Sequence, residues 1–322
     1  ALRNASWHVS DILTEINTDK DRREGFSDVF TIQTPVAKNR IDLGTEIQAS
    51  SEIKKIAQAF GAGLVGITSY DKRWEYSNKY SDMSLKSYPP EIPYTLSNVI
   101  VIAQPMDYEL IKTVPSALSG SATGLGYSHD ALTILSLTQY IRNLGYEAIG
   151  SMNDTSLAIP YAIKAGLGEY GRNGLLITKK FGPRVRLGKI YTNLPLKHDK
   201  PIKFGVKEFC NICNLCAKAC PVKAIPETLP SEKTYNISNI SGVKKWSVDG
   251  EKCFSFWTSQ NSDCSICIRV CPYNKDYSKW IHKVGLKLAS TWLRHIMLWL
   301  DVNLGYGKRQ KSTQWWTKDN FN

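Results

Sequence analysis

All eight cysteines of this 322-residue chain lie between positions 210 and 271, in two runs that each close on Cys-Pro. The first reads Cys210-Asn-Ile-Cys213-Asn-Leu-Cys216-Ala-Lys-Ala-Cys220-Pro221, the C-x2-C-x2-C-x3-C-P spacing of a bacterial-type iron–sulfur site. The second opens more loosely with Cys253 and continues Cys264-Ser-Ile-Cys267-Ile-Arg-Val-Cys271-Pro272. Eight thiolates are what two 4Fe-4S clusters require. In two-cluster ferredoxins the fourth cysteine of each run crosses to the other cluster. On that pattern Cys210, Cys213, Cys216 and Cys271 hold one cluster, and Cys253, Cys264, Cys267 and Cys220 hold the other. Disulfide frameworks suit small secreted domains without a core, and zinc sites favour paired C-x2-C knuckles rather than a triple spacing.

The length allows one large domain or two, and 42% apolar residues are enough for a core. The formal charge is +12, and each oxidised cluster with its thiolates carries about −2, so the loaded protein is nearer to about +8. Such a surface suits nucleic acid, anionic lipid or an acidic electron donor, and charge alone does not choose among them. No run reaches the roughly 18 apolar residues of a membrane span. Val284 to Leu304 comes nearest, interrupted by Lys287, Arg294, His295 and Asp301, and reads as an amphipathic helix. The chain starts at Ala1 without an initiator Met, which fits a mature form after cleavage.

Residues 1–48, with the charge run from Asp19 to Glu24, read as an extended arm. Apolar residues at 53, 56, 57 and 60 predict a helix from Ser51 to Phe60, and strands are expected at Leu64–Thr68, Ser97–Ala103, Tyr146–Ile149, Leu175–Thr178 and Lys189–Thr192. The stretch Ser119–Gly126 reads as a Gly/Ser-rich loop, with a helix following through Leu132 and Ile141 to Gly145, and a short helix is expected from Ser156 to Ala165. Alternating strands and helices predict an α/β (α+β) domain at 49–200, ahead of a cluster module at 201–280 and a C-terminal helix and wrap at 281–322.

The stretch from Asn153 through Gly168, Gly171, Arg172 and Gly174, followed by Gly182-Pro-Arg184-Val-Arg186, resembles the central region of corrinoid-dependent reductive dehalogenases. So do Trp74 in its Asp71-to-Ser77 setting, Thr123-Gly-Leu-Gly-Tyr127, Asp249-Gly-Glu-Lys-Cys253 leading to Trp257, and Trp315-Trp316 near the end. The resemblance runs from about residue 50 onward. It implies a nitroreductase-like core around a base-off cobamide of B12 type, an appended ferredoxin-like module with two 4Fe-4S clusters, and replacement of a halogen by hydrogen in anaerobic organohalide respiration. It further implies a small halogenated substrate, an upstream electron donor, a small integral-membrane anchor subunit and no nucleic-acid partner, and leaves a homodimer open. The family's precursors carry a twin-arginine signal, so the implied location is peripheral, on the outer face of the cytoplasmic membrane.

By the same resemblance Tyr127 is the proton donor, with Arg186 and Asn153 beside it. A phenol, with an ordinary pKa near 10, can protonate a carbanion, and a neighbouring cation makes the phenolate less costly. Thr123, Trp257 and Trp74 are expected to line the substrate pocket; a halocarbon offers little to hydrogen-bond, so aromatic walls must recognise it. Asn153, Thr155, Gly168, Gly171, Arg172, Gly174 and Arg184 are expected to bind the cofactor, the glycines by permitting close backbone approach. None of the five histidines sits in an Asp-x-His-x-x-Gly motif, so no cobalt ligand is expected from them, and His129 is taken as structural. The competing readings are an epoxyqueuosine reductase, in which an Asp is expected in place of Tyr127, and a plain ferredoxin-type electron carrier.

Overall fold

The computed structural model describes residues 1–16, 35–81, 86–89, 92–153 and 155–317; the charge run at 19–24 lies outside them. In chain order the first part contains helices α1 (Leu2–Ile16) and α2 (Glu46–Ala59), strand β1 (Leu64–Ser69), a hairpin of β2 (Lys79–Ser81) and β3 (Lys86–Tyr88), and strand β4 (Asn98–Pro105). Helices α3 (Tyr108–Lys112) and α4 (Ala117–Asn143), β5 (Ala148–Ser151), α5 (Ala158–Lys164), a small hairpin of β6 (Glu169–Tyr170) and β7 (Leu176–Ile177), and β8 (Val185–Thr192) follow.

The central sheet runs β1-β4-β8-β5 and every pairing in it is antiparallel. That makes the domain α+β in the strict sense. Val99 to Ala103 is fully buried because both faces of β4 are covered. Ile100 and Ile102 meet Ile53 of α2 and Ile134 and Leu137 of α4 on one side. Val99 and Val101 meet Tyr161 and Ala162 of α5 on the other. The alternation follows from the two-residue period of a strand.

The structure corrects three expectations. Residues 2–16 form a helix rather than an extended arm. The side it turns inward, Leu2, Arg3, Ser6, Trp7 and Ser10, recurs at helical spacing but is largely small or polar, so an apolar period does not reveal it. Ser119–Gly126 is not a loop but the first two turns of α4, started by the Ser116 side chain, which accepts from the Ser119 N–H. Gly124 is needed there for close packing: a Cβ would lie 2.5 Å from Ser6 Oγ and Trp7 Cδ1 of α1. The helix expected over 284–304 is two, Trp280–Ala289 and Arg294–Asn303, broken where Ser290 and Thr291 turn their hydroxyls onto the first helix's last carbonyls.

The second part carries the cysteines on short helices: α6 (Val206–Ile212), α7 (Leu215–Ala219), α8 (Gly250–Ser259) and α9 (Ile266–Arg269). It ends with α10 (Trp280–Ala289), α11 (Arg294–Asn303) and α12 (Ser312–Thr317). Among the described residues no helix is long and apolar enough to cross a membrane. The tail returns to the first part, where Arg309 donates to the carbonyls of Thr113 and Pro115. At Gly182 the parts touch backbone to backbone, with φ at +57° and room for no side chain, since a Cβ would lie 2.0 Å from the Tyr273 carbonyl oxygen.

Candidate functional site

The thiols gather in two groups. Burial first, and then Cys210, Cys216 and Cys213, push the Cys271 thiol well above its usual range. Burial and then Cys264 and Cys220 push Cys253 up to about 11, and Cys267 is raised by burial with Cys216, Cys264, Cys253 and Cys220 around it. Cys271 therefore stands with the first run, and Cys220 with the second. The chain achieves this crossing because Cys220 follows α7 and Cys271 follows α9, two helices that pack together. Eight free thiols in two groups of four are the donor set that two iron–sulfur clusters take. No three His, Cys, Asp or Glu side chains among the described residues converge on a single ion; the thiolates of a cluster bind different irons and stand further apart. The Cys220 sulfur also accepts from the Ala224 N–H at 3.3 Å, a contact of the kind that tunes cluster potential.

Tyr127 lies on α4 one turn after Thr123, and β8 brings Arg186 alongside. The Tyr127 oxygen accepts from Asn153 Nδ2 at 2.7 Å and from Arg186 Nη1 at 3.3 Å. The guanidinium also sits 4.6 Å from the centre of the phenol ring and donates to Thr123 Oγ1 at 3.3 Å. Thr123 in turn donates to Asp263 at 2.6 Å. Trp7 of α1 packs on Tyr127 with ring centres 5.3 Å apart. With its lone pairs engaged, the phenol oxygen keeps its own hydrogen for a partner in the space beyond.

That space is a cavity of about 270 Å³ lined by Arg3, Trp7, Thr123, Tyr127, Arg186 and Trp257, with Asp263 at its wall. Its size is at the small end of ligand pockets. Among the described residues, Arg3 Nε, Trp7 Nε1, Arg186 Nε, Trp257 Nε1 and Asp263 Oδ1 are buried without hydrogen-bond partners. Orphaned polar atoms converging on one cavity mark a site that a bound group completes. The aromatic faces of Trp7 and Trp257 and these open donors fit the edge of a flat polar macrocycle such as a corrinoid, and His129 is exposed on α4.

Thr123, Tyr127, Asn153, Arg186 and Trp257 thus come together, whereas the other expected site residues lie elsewhere. Trp74 packs edge-on against Tyr161 in the core behind the sheet. Thr155 is buried against Ser151 and Tyr191. Arg172 is 2% exposed and gives its donors to the carbonyls of Cys210, Cys213, Pro226 and Thr228. Arg184 donates to Met106 and Lys275 carbonyls. Gly168, Gly171 and Gly174 give way to Ile177, Asn173 and Val248 in the turns around β6 and β7. Both arginines are consumed by joining the two parts, and spacing along a strand did not distinguish Arg184 from Arg186. Arg3, Trp7 and Asp263 are site residues that sequence reasoning did not single out; the place of Asp263 next to Cys264 was the available signal.

Residues 209–274, which include all eight cysteines, match the 4Fe-4S double cluster binding domain. Residues 78–196 match the reductive dehalogenase subunit model. A tetrachloroethene reductive dehalogenase of Desulfitobacterium hafniense is 41% identical over 277 residues, covering 74% of this chain and 50% of that protein. The chain belongs to the reductive dehalogenase family. A second tetrachloroethene reductive dehalogenase, from Sulfurospirillum multivorans, is 35% identical over 302 residues, 85% of this chain and 60% of its own length. A solved catabolic reductive dehalogenase in complex with 3-bromo-4-hydroxybenzoic acid superposes with a TM-score of 0.77 at 22% identity, over 95% of this chain and 42% of that one, which shows the shared fold. This reductive dehalogenase chain spans about half the length of the curated relatives it matches.

Proposed function

We propose that the chain is the catalytic portion of a corrinoid-dependent reductive dehalogenase that replaces a halogen of a small organohalide by hydrogen. The observation that carries this reading is a phenol with two donors on its oxygen, facing a small aromatic-walled cavity in a chain with eight cysteines grouped for two clusters. The reaction consumes two electrons and one proton: the carbon–halogen bond breaks, halide leaves with the bonding pair, and a new C–H bond forms. When bound, the two 4Fe-4S clusters supply single electrons, and a base-off cobamide supplies a reduced cobalt able to cleave a carbon–halogen bond. Tyr127 then delivers the proton from its hydroxyl to the carbon. Arg186 and Asn153 stabilise the phenolate left behind, because each already donates to that oxygen. Trp7 and Trp257 wall the cavity and exclude water.

The cavity size and the names of the relatives favour chlorinated ethenes as substrates. The same reading divides the chain into a nitroreductase-like core at 49–200, a two-cluster module at 201–280 and a C-terminal wrap. It places the protein in anaerobic organohalide respiration, peripheral on the outer face of the cytoplasmic membrane, served by an upstream electron donor and a small integral-membrane anchor subunit. The test is anaerobic loading with iron, sulfide and a cobamide, followed by assay on chlorinated ethenes, alkanes and phenols with a low-potential electron donor. Halide release matched to dehalogenated product is expected, in material holding about eight irons and one cobalt. Active material with iron but no cobalt would sink the proposal.

A further inference from the structure

Behind the Tyr127–Arg186 pair lies a carboxylate that no step above employs. Asp130 is three residues after Tyr127 and seven after Thr123, on the same side of α4. It is 0% exposed, and among the described residues neither carboxylate oxygen has a hydrogen-bond partner. The side chain reaches under β8 at Gly188, where a Cβ would lie 2.8 and 2.9 Å from the two oxygens. Gly188 stands between Arg186 and Lys189 in sequence, so the strand leaves a gap for the acid beside the buried Lys189 and the half-buried Arg186, whose stem crosses α4 at Gly126, one turn before Asp130. Helices α1, α2 and α3 and strands β4, β5 and β8 all pack on α4, and the charged groups bearing on Asp130, Lys189 and Arg186, both come from β8. Lys189 also donates to the carbonyls of Met152 and Ser156.

We propose that Asp130 is a positioning residue for proton delivery: from beneath β8 it acts through the charge of Arg186 on Tyr127, and its own protonation sets how much positive charge the phenol feels. Burial pushes the Asp130 carboxyl up to about 7, against the opposing pull of Lys189 and Arg186. A protonated Asp130 leaves the Arg186 charge uncompensated and favours the phenolate; an ionised one offsets that charge. The proposal rests on the dehalogenase reading for its rate consequence, but not for the coupling between the two side chains.

Infrared spectra of the cofactor-loaded protein with isotope-labelled aspartate read the protonated Asp130 carboxyl directly. The acid band is expected to fade with a midpoint near pH 7 in the wild type, to fade at higher pH in Arg186→Gln, and to be missing in Asp130→Asn. A midpoint unmoved by Arg186→Gln overturns the proposal, and this arm stands even if Asp130→Asn does not fold. In tetrachloroethene turnover, the wild type is expected to fall from a higher plateau below the midpoint to a lower one above it, while Asp130→Asn lacks that step. A step retained by Asp130→Asn, or a wild type without one, overturns the rate claim and leaves Asp130 as a counterion of Lys189. If no protein releases halide yet the band still moves with Arg186→Gln, the dehalogenase reading fails and the coupling is supported.

Discussion

The Tyr127 oxygen accepts two hydrogen bonds before any substrate arrives, one from a neutral amide and one from a guanidinium. Tyr127→Phe deletes the acid but keeps the ring that Trp7 and Arg186 rest on. Turnover should fall about 100- to 10,000-fold with iron and cobalt contents unchanged; wild-type turnover in this variant would remove Tyr127 from the chemistry. Asp130 makes a separate prediction about stability. Its folded pKa, about 7, is raised above an unfolded value of about 4. Its contribution is therefore fully present below about pH 4 and is lost as pH rises through about 7. Thermal unfolding of Asp130→Asn across that window should lack the decline that this carboxyl imposes on the wild type.

At the scale of elements, α1 reaches the cavity only because α4 presents Gly124 where the helices cross. Gly124→Val should force α1 away, separate Trp7 from Tyr127 and destabilise the protein by about 1–3 kcal/mol. Thermal unfolding, with tryptophan fluorescence to follow Trp7, would register both effects. Arg172 serves the cluster module instead. It ties the α6–α7 cluster loop and the segment 226–228 to the turn after β6 through four backbone carbonyls, and its guanidinium stacks on Trp246 at 5.1 Å. Arg172→Met leaves those carbonyls short of a buried donor and should cost on the order of 3 kcal/mol, read in the unfolding midpoint of the iron-loaded protein. An unchanged midpoint would mean that other groups or water satisfy the loop.

Across the whole molecule, Cys220 lies beside the thiols of the second run and Cys271 beside those of the first, so crossed ligation would make the two halves of the cluster module interdependent. Cys220→Ala should damage the cluster held mainly by Cys253, Cys264 and Cys267 while sparing the one of its own run. Electron paramagnetic resonance that still shows two intact clusters would refute the crossing. The module is also tied to the α+β part by Gly182 against Tyr273, by Arg184 to Lys275 and by the Tyr170 hydroxyl to the Trp246 carbonyl. Unfolding of the loaded protein should therefore be cooperative across both parts.

Cysteine spacing was enough to specify two clusters, because a cluster demands a short local pattern of one residue type. The continuous apolar runs at Leu64–Thr68 and Ser97–Ala103 were enough to place β1 and β4, since strands buried on both faces need no alternation. What spacing could not separate was Arg184 from Arg186, two residues apart and similar in context. The fold sends one to the carbonyls of Met106 and Lys275 and the other to Tyr127. It also brings Trp7 and Asp263, far from Tyr127 in sequence, to one cavity. Which arginine meets the phenol depends on how β8 lies against α4, and contacts between distant segments leave no period or motif in either segment alone.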